Sequence, residues 1–119
     1  MGRSAEGKPR PVDDRLDELH AELCKVFTNP VRVRILNLLR DDELSVGEIA
    51  DGLGRSQSSV SKHLSLMRSR GILASRKEGN AVYYRVARRG VLRAFDIMRA
   101  VLVDSLQAAG DLARKAEAR

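Results

Sequence analysis

The sequence of 119 residues is poor in aromatic side chains, at 3%, and has no Trp, so its core must consist mainly of Leu, Val, Ile and Ala. The single cysteine, Cys24, excludes an internal disulfide framework and an all-cysteine metal cage within one chain. No apolar run is long enough to span a membrane, and residues 1–12 lack the apolar stretch of a signal peptide. These absences favour a cytoplasmic protein without a membrane partner.

The charge is distributed unevenly along a chain whose hydrophobic content of 43% and charged content of 32% indicate one folded domain. Residues 13–54 contain ten acidic and five basic side chains. Residues 55–93 contain ten basic side chains against one acidic side chain, and they dominate the net charge of +6. A basic block in a folded segment is typical of proteins that bind polyanions, and a merely solvated basic face is the alternative.

Composition divides the chain into three parts. Residues 1–12 contain Gly and Pro without hydrophobic periodicity, which predicts a flexible N-terminal arm. Residues 13–112 carry periodic apolar patterns and form the predicted folded domain. Residues 113–119 are rich in Ala and Arg, and we expect them to form a frayed tail.

The first half of the domain predicts two helices. After Asp13, the residues Leu16, Leu19 and Leu23 recur at helical spacing. Asn29-Pro30 has the form of a helix cap followed by a proline at the first helical position. The second helix should run to about residue 40, and its predicted buried residues are Val31, Ile35, Leu38 and Leu39.

Two further short helices, separated by a turn that contains glycine, are predicted between residues 45 and 71. Ser45 and Glu48 have the spacing of a capping box at the start of the first of them. The second starts at Ser56 and ends at Gly71. Its predicted inward residues are Val60, Leu64 and Met67. Two helices joined in this way are typical of a helix-turn-helix motif.

The pattern then changes from helical to extended. Residues 72–76 and 81–86 favour strands, and Lys77-Glu78-Gly79-Asn80 between them favours a hairpin turn. A basic hairpin directly after a helix-turn-helix is a wing. From about residue 89, a last helix carries an apolar stripe over about seven turns. The stripe consists of Val91, Phe95, Met98, Leu102, Leu106, Ala109 and Leu112 or Ala113.

This apolar stripe is too long for the first helix of the same chain to cover. We therefore expect a homodimer with two-fold symmetry, in which the first and last helices of both chains pack together. An antiparallel pair of these two helices within one chain is the alternative. The predicted fold is mainly α with a small β-hairpin, a winged helix-turn-helix that dimerises through its first and last helices.

Two strings occupy the predicted helix-turn-helix, residues 45–50 (Ser-Val-Gly-Glu-Ile-Ala) and 56–64 (Ser-Gln-Ser-Ser-Val-Ser-Lys-His-Leu), and they occur together with Asn29-Pro30-Val31-Arg32, Gly71-Ile72-Leu73 and Tyr83-Tyr84-Arg85. In these residues the sequence resembles the ArsR/SmtB family of bacterial and archaeal winged-helix transcriptional repressors. The resemblance covers about residues 15–105 of the chain. The resemblance implies a repressor that binds double-stranded promoter DNA as a homodimer.

The second helix of the predicted helix-turn-helix has a polar outer face that suits entry into the major groove. The predicted DNA-binding residues are Arg55, Ser56, Gln57, Ser58, Ser61, Lys62, His63, Arg68, Arg76 and Lys77. Among them, Gln57 suits adenine, and the Lys and Arg side chains suit phosphates. We expect Arg76 and Lys77 on the wing to reach a neighbouring minor groove or the backbone. His63 either faces DNA or packs between helices.

The metal sites typical of the resembling family do not match this sequence. A Cys-x-Cys pair of some relatives falls at Ser45 and Gly47, and the last helix contains no histidine. We therefore expect no metal and no cofactor, and no effector site is visible. Cys24 is either a packed apolar residue or, if the first helices meet across a dimer, a thiol that responds to redox change.

Two other classes of function are alternatives to DNA binding. An enzyme is not expected, because the sequence shows no nucleophile with a base and no glycine-rich phosphate loop. A winged-helix interaction module, whose basic face binds an acidic partner, is the second alternative. Only specific DNA recognition should depend on Gln57 and Ser61.

Overall fold

The computed structural model describes residues 13–117, so the predicted arm over residues 1–12 lies outside the described residues. The elements are α1 Asp14–Lys25, a 3-10 turn Val26–Thr28, α2 Pro30–Leu38, β1 Leu44–Ser45, α3 Val46–Leu53, α4 Gln57–Ser69, β2 Leu73–Glu78, β3 Ala81–Val86 and α5 Arg89–Glu117. The sequence predicts a frayed tail from residue 113, but residues 113–117 belong to α5 in the structure. The reason is that Ala, Arg, Lys and Glu are all strong helix formers.

Four of the helices begin at side-chain caps. The Asp13 carboxylate accepts a hydrogen bond from a first-turn amide at 3.0 Å, and the Asn29 amide oxygen accepts one at 2.8 Å. The Ser45 hydroxyl accepts from the Glu48 amide at 3.1 Å, and the Glu48 carboxylate accepts from the Ser45 amide at 2.8 Å. Ser56 caps α4. These contacts satisfy amides that a helix leaves unpaired, and they confirm the predicted helix starts.

The three strands form an antiparallel sheet in the order β1-β3-β2. Strand β2 continues to Glu78 and pairs there with Ala81, so the hairpin turn contains only Gly79 and Asn80. The expected four-residue turn was therefore wrong, because Gly79 adopts a φ of 61°, which allows a tight two-residue turn. The two-residue strand β1, which was not predicted, pairs with β3 and joins the wing to the start of α3.

The core lies between α2, α3, α4 and the sheet. Its fully buried side chains, at 2% exposure or less, are Val26, Ile35, Leu36, Leu39, Ile49, Ala50, Val60, Leu64, Met67, Ile72 and Leu73. Leu36 is buried although it was not among the predicted buried residues, and the predicted Leu38 is only half-buried. None of the helices in residues 13–117 combines the length and the hydropathy needed to cross a bilayer.

Helices α1 and α5 extend from this core and leave most of their apolar side chains uncovered. Helix α1 contains no buried residue, and α5 buries only Leu92 and Phe95 near its start. The large apolar side chains that are exposed, at 44% to 69%, are Leu16, Leu19, Ile97, Met98, Val101, Leu102, Val103, Leu106 and Leu112. Within residues 13–117 the two helices therefore do not form the intramolecular pair that was the alternative to a dimer.

Candidate nucleic-acid interface

The turn between α3 and α4 fixes the direction of α4. Gly54 ends α3 in the left-handed conformation, with a φ of 65°, which favours glycine. On its inner side α4 is anchored by Val60, Leu64 and Met67, each of which is 0% exposed. Its outer side includes the exposed Lys62. Helix α4 is thus the second helix of a helix-turn-helix, with its polar side available to a partner.

The amino-terminal turn of α4 carries the predicted base-reading residues. The Ser56 hydroxyl accepts a hydrogen bond from the Ser59 amide at 3.2 Å and lies 3.3 Å from the Ser58 hydroxyl, so Ser56 acts as a cap. Gln57 is exposed and extends along the start of α3, where its amide nitrogen would lie 3.4 Å from a Cβ atom placed on Gly47. This turn presents short polar groups together with free helix amides, which are suited to anions.

The basic residues of this region differ in how far they are already neutralised. Among residues 13–117, no carboxylate forms an ion pair with Arg55, Lys62 or Arg68, and all three are exposed. Arg70, by contrast, lies 3.5 Å from the Glu22 carboxylate of α1. The first three cations are therefore available to phosphates, whereas Arg70 links α4 to α1.

His63 lies on a different side of α4 from its neighbour Lys62. It is half-buried, and its Nδ1 atom accepts a hydrogen bond from Arg32 Nε at 3.2 Å. Burial, together with the nearby charges of Arg32 and Arg55, holds the pKa of His63 below its usual value. His63 was predicted either to face DNA or to pack between helices. In the structure it lies between α4 and α2, where it contacts Arg32.

Arg76 and Lys77, which were predicted to act together on the wing, point to opposite faces of β2 because successive strand residues alternate. The Arg76 guanidinium contacts Glu43 at 2.7 Å and Glu78 at 2.6 Å, and it lies 4.7 Å from the centre of the Tyr83 ring. Hydrogen bonds to Glu43 and then Glu78 raise the pKa of Arg76. Arg76 is thus held against the wing itself.

A second group of ion pairs joins the start of α5 to the loop that follows α2. Arg40 donates to both oxygens of Asp96, at 2.7 and 2.8 Å, and this contact lowers the pKa of Asp96. Arg89 donates to the carbonyl of Arg40 at 2.6 Å and to Asp41 at 2.9 Å. These residues could not be predicted from the sequence, because partners 48 to 56 positions apart produce no periodic signal.

Cys24 is exposed on α1. Within a single chain it is therefore not packed, which was one of the two predictions for it. It follows Leu23 and therefore points about 100° away from it around the helix. In the described part of the chain, no three His, Cys, Asp or Glu side chains come together to hold a metal ion.

Comparison with known proteins identifies the family of this fold. A family model described as bacterial regulatory protein, arsR family, matches residues 29–75, which include α2, α3 and α4. The uncharacterized HTH-type transcriptional regulator Rv0081 of Mycobacterium tuberculosis is 36% identical over 88 residues, which are 73% of this chain and 77% of that protein. The transcriptional activator HlyU of Vibrio cholerae is 45% identical over 62 residues, 52% of this chain and 57% of that protein.

Solved structures agree with the sequence relatives. The crystal structure of Rv0081 matches with a TM-score of 0.72 at 35% identity, over 77% of this chain and 93% of that chain. The solution structure of Mb0332 from Mycobacterium bovis, a homodimeric winged helix-turn-helix DNA-binding domain, matches with a TM-score of 0.74 at 30% identity, over 84% and 94% of the two chains. This protein therefore belongs to the ArsR family of winged helix-turn-helix transcriptional regulators, which bind DNA and are not enzymes.

Proposed function

We propose that this regulator is a homodimeric repressor that binds an inverted-repeat operator through α4 and the wing. The observation that carries the proposal is the two-sided character of α4. Its inner side is fixed in the core, and its outer side combines short polar groups with cations that no described carboxylate neutralises. The homodimeric state of the Mb0332 domain supports the two-fold arrangement.

The proposed contacts divide into two kinds. Gln57, Ser58 and Ser61 would meet base edges in the major groove, because they are short or flexible donors and acceptors at the start of α4. Arg55, Lys62, Arg68 and Lys77 would meet phosphates, which position the dimer without encoding sequence. In a two-fold dimer, the two α4 helices would enter successive major grooves about 34 Å apart. Repression follows where such an operator overlaps a promoter.

The experiment that tests this proposal begins with selection of duplexes from a random pool by the full chain. Selected duplexes should contain an inverted repeat, and fluorescence anisotropy should show preference over a scrambled duplex. Gln57→Ala and Ser61→Ala should each weaken binding to the selected duplex by about tenfold or more. Binding to the scrambled duplex should not change.

Ser69→Ala is the matched control, since Ser69 lies at the far end of α4 and its hydroxyl donates to the Leu66 carbonyl. A reporter gene placed behind the selected duplex should lose expression when the protein is present. Equal effects of Ser61→Ala and Ser69→Ala, or selection of no common sequence, would contradict the proposal. The interaction-module alternative would then apply.

We also propose that Cys24 responds to oxidation. If the α1 helices meet in the dimer, the two exposed thiols would form a disulfide and transfer two electrons and two protons to an oxidant such as a peroxide. Non-reducing electrophoresis should then show a crosslinked dimer, and oxidation should change operator affinity. Cys24→Ser should abolish both effects. An unchanged oxidation response in Cys24→Ser would exclude this role.

A further inference from the structure

Arg32 of α2 connects the recognition helix α4 to the carboxyl end of α1. Its Nε atom donates a hydrogen bond to His63 Nδ1 at 3.2 Å, and its Nη1 atom donates to the Lys25 carbonyl at 3.2 Å. The two partners lie 31 and 7 residues away in the sequence. The Arg32 guanidinium therefore links α4 to α1, two helices that no backbone hydrogen-bond ladder joins.

This contact lies on a flank of α4, where His63 is three residues from the buried Val60 and four from the buried Met67. His63, Leu66 and Arg70 follow one another at spacings of three and four, so they share one side of the helix. Arg70 contacts Glu22 of α1 at 3.5 Å. Both polar links of this side thus lead to α1, and the cation of Arg32 meets the negative end of the α1 dipole. The position of α4 is consequently tied to a helix of the proposed dimer interface.

The hydrogen bond requires a neutral imidazole, since Nδ1 accepts from Arg32 only when it carries no proton. The charged groups that face His63 are Arg32 of α2 and Arg55 of the turn before α4, and both are cationic. Protonation would place a donor opposite a donor and a third positive charge beside two others. Because burial and these charges lower the pKa of His63, the neutral ring and its contact are favoured at the ordinary value of 6.5, and the contact is lost as the pH falls through the lowered pKa.

We propose that Arg32 is a positioning residue that holds the recognition helix against the end of α1, and that protonation of His63 releases this hold and weakens specific DNA binding. The proposal rests on the proposed operator contact by α4. The direction of the pH effect on DNA affinity distinguishes this role from a direct phosphate contact. A histidine that contacted phosphate directly would bind DNA more tightly when protonated, whereas a histidine that positions α4 through Arg32 would bind it more weakly.

The test measures the affinity of the full chain for the duplex selected as described above, by anisotropy at fixed salt, between about pH 5.5 and 8. The wild type should lose affinity towards the acidic end, by less than about tenfold at pH 5.5, because the pKa of His63 lies below its ordinary value. His63→Asn, whose amide oxygen replaces the Nδ1 acceptor but does not titrate, should keep its affinity across this range. His20→Asn is the matched control, because His20 is exposed on α1, and it should follow the wild type.

Arg32→Lys preserves the charge but removes the guanidinium that bridges two partners. It should weaken binding at high pH, whereas Arg34→Lys, an exposed position on the same helix, should not. A wild-type affinity that rises as the pH falls, or identical pH profiles for wild type and His63→Asn, would overturn the inference while leaving the operator proposal intact. Failure to prefer the selected duplex at any pH would instead overturn the proposed function.

Nitrogen NMR of the free protein provides a readout that does not depend on DNA. The His63 ring should be the tautomer protonated at Nε2 at high pH, and Arg32→Lys should raise the pKa of His63. A ring protonated at Nδ1 at high pH would overturn the hydrogen bond on which the inference rests, even if operator binding were confirmed.

Discussion

At the scale of residues, the basic block of residues 55–93 contains cations with different surroundings. Arg76 has two carboxylate partners and an aromatic ring beneath it, and it holds the pKa of Glu43 below its ordinary value. Because Glu43 directly precedes β1, this contact braces the wing against the strand that leads into α3. Lys77, on the opposite face of β2, has no ion pair among the described residues. Charge counting alone does not separate these two roles.

The difference predicts distinct salt dependences for two adjacent substitutions. Lys77→Ala should weaken binding to selected and scrambled duplexes alike and lower the slope of log affinity against log salt by about one, because one phosphate contact is lost. Arg76→Ala should leave the slope unchanged and weaken the selected duplex only through the altered wing position. Anisotropy titrations at several salt concentrations measure both quantities. A slope that falls equally for both variants would show that Arg76 leaves its carboxylates and contacts phosphate.

At the scale of elements, local chemistry was sufficient to predict where the helices begin. The caps at Asp13, Asn29, Ser45 and Ser56 act on amides within three residues, so the sequence pattern contains the whole interaction. The short strand β1 was not predictable in this way, because two residues show no alternation. It exists because β3 pairs with it. Long-range pairing of this kind has no signature in a single sequence.

The candidate site also combines residues that the local sequence predicts with residues whose role arises only from packing. The polar residues at the start of α4 were predicted, since their type and spacing follow from the helix they occupy. The role of Arg32 could not be predicted, because its partners His63 and the Lys25 carbonyl come together only when α1, α2 and α4 are packed. Gly52 also acquires its role from packing, since a Cβ atom there would lie 3.2 Å from Leu38 of α2.

At the scale of the whole molecule, α5 is longer than one chain requires. Its 29 residues extend over about 43 Å, yet only its first two turns contact the core, through Leu92 and Phe95. Arg40 fixes the direction of this helix by its two contacts with Asp96. The remaining apolar side chains emerge into solvent along a path set by these anchors. A second copy related by two-fold symmetry would cover them and, through the same anchors, fix the distance between the two α4 helices.

This arrangement predicts that Leu106→Glu, in the exposed stripe of α5, converts a dimer into a monomer. Leu106 is 62% exposed in the single chain, and two-fold symmetry would bury this surface twice, so each dimer would lose about 2 to 4 kcal/mol and would also bury two charges. Sedimentation equilibrium should show a dimer for the wild type and a monomer for the variant. The affinity of the monomeric variant for the inverted repeat should fall towards its affinity for a single half-site.

The adjacent Gln107→Glu is the matched control, because it introduces the same charge on an exposed position of the same helix one residue away. It should remain dimeric and bind the inverted repeat as the wild type does. The Leu106→Glu monomer should keep the circular dichroism of the wild type, since Leu106 lies outside the buried core. A dimeric Leu106→Glu variant would show that the interface lies elsewhere. Normal affinity of a monomeric variant for the inverted repeat would show instead that the two α4 helices bind DNA independently.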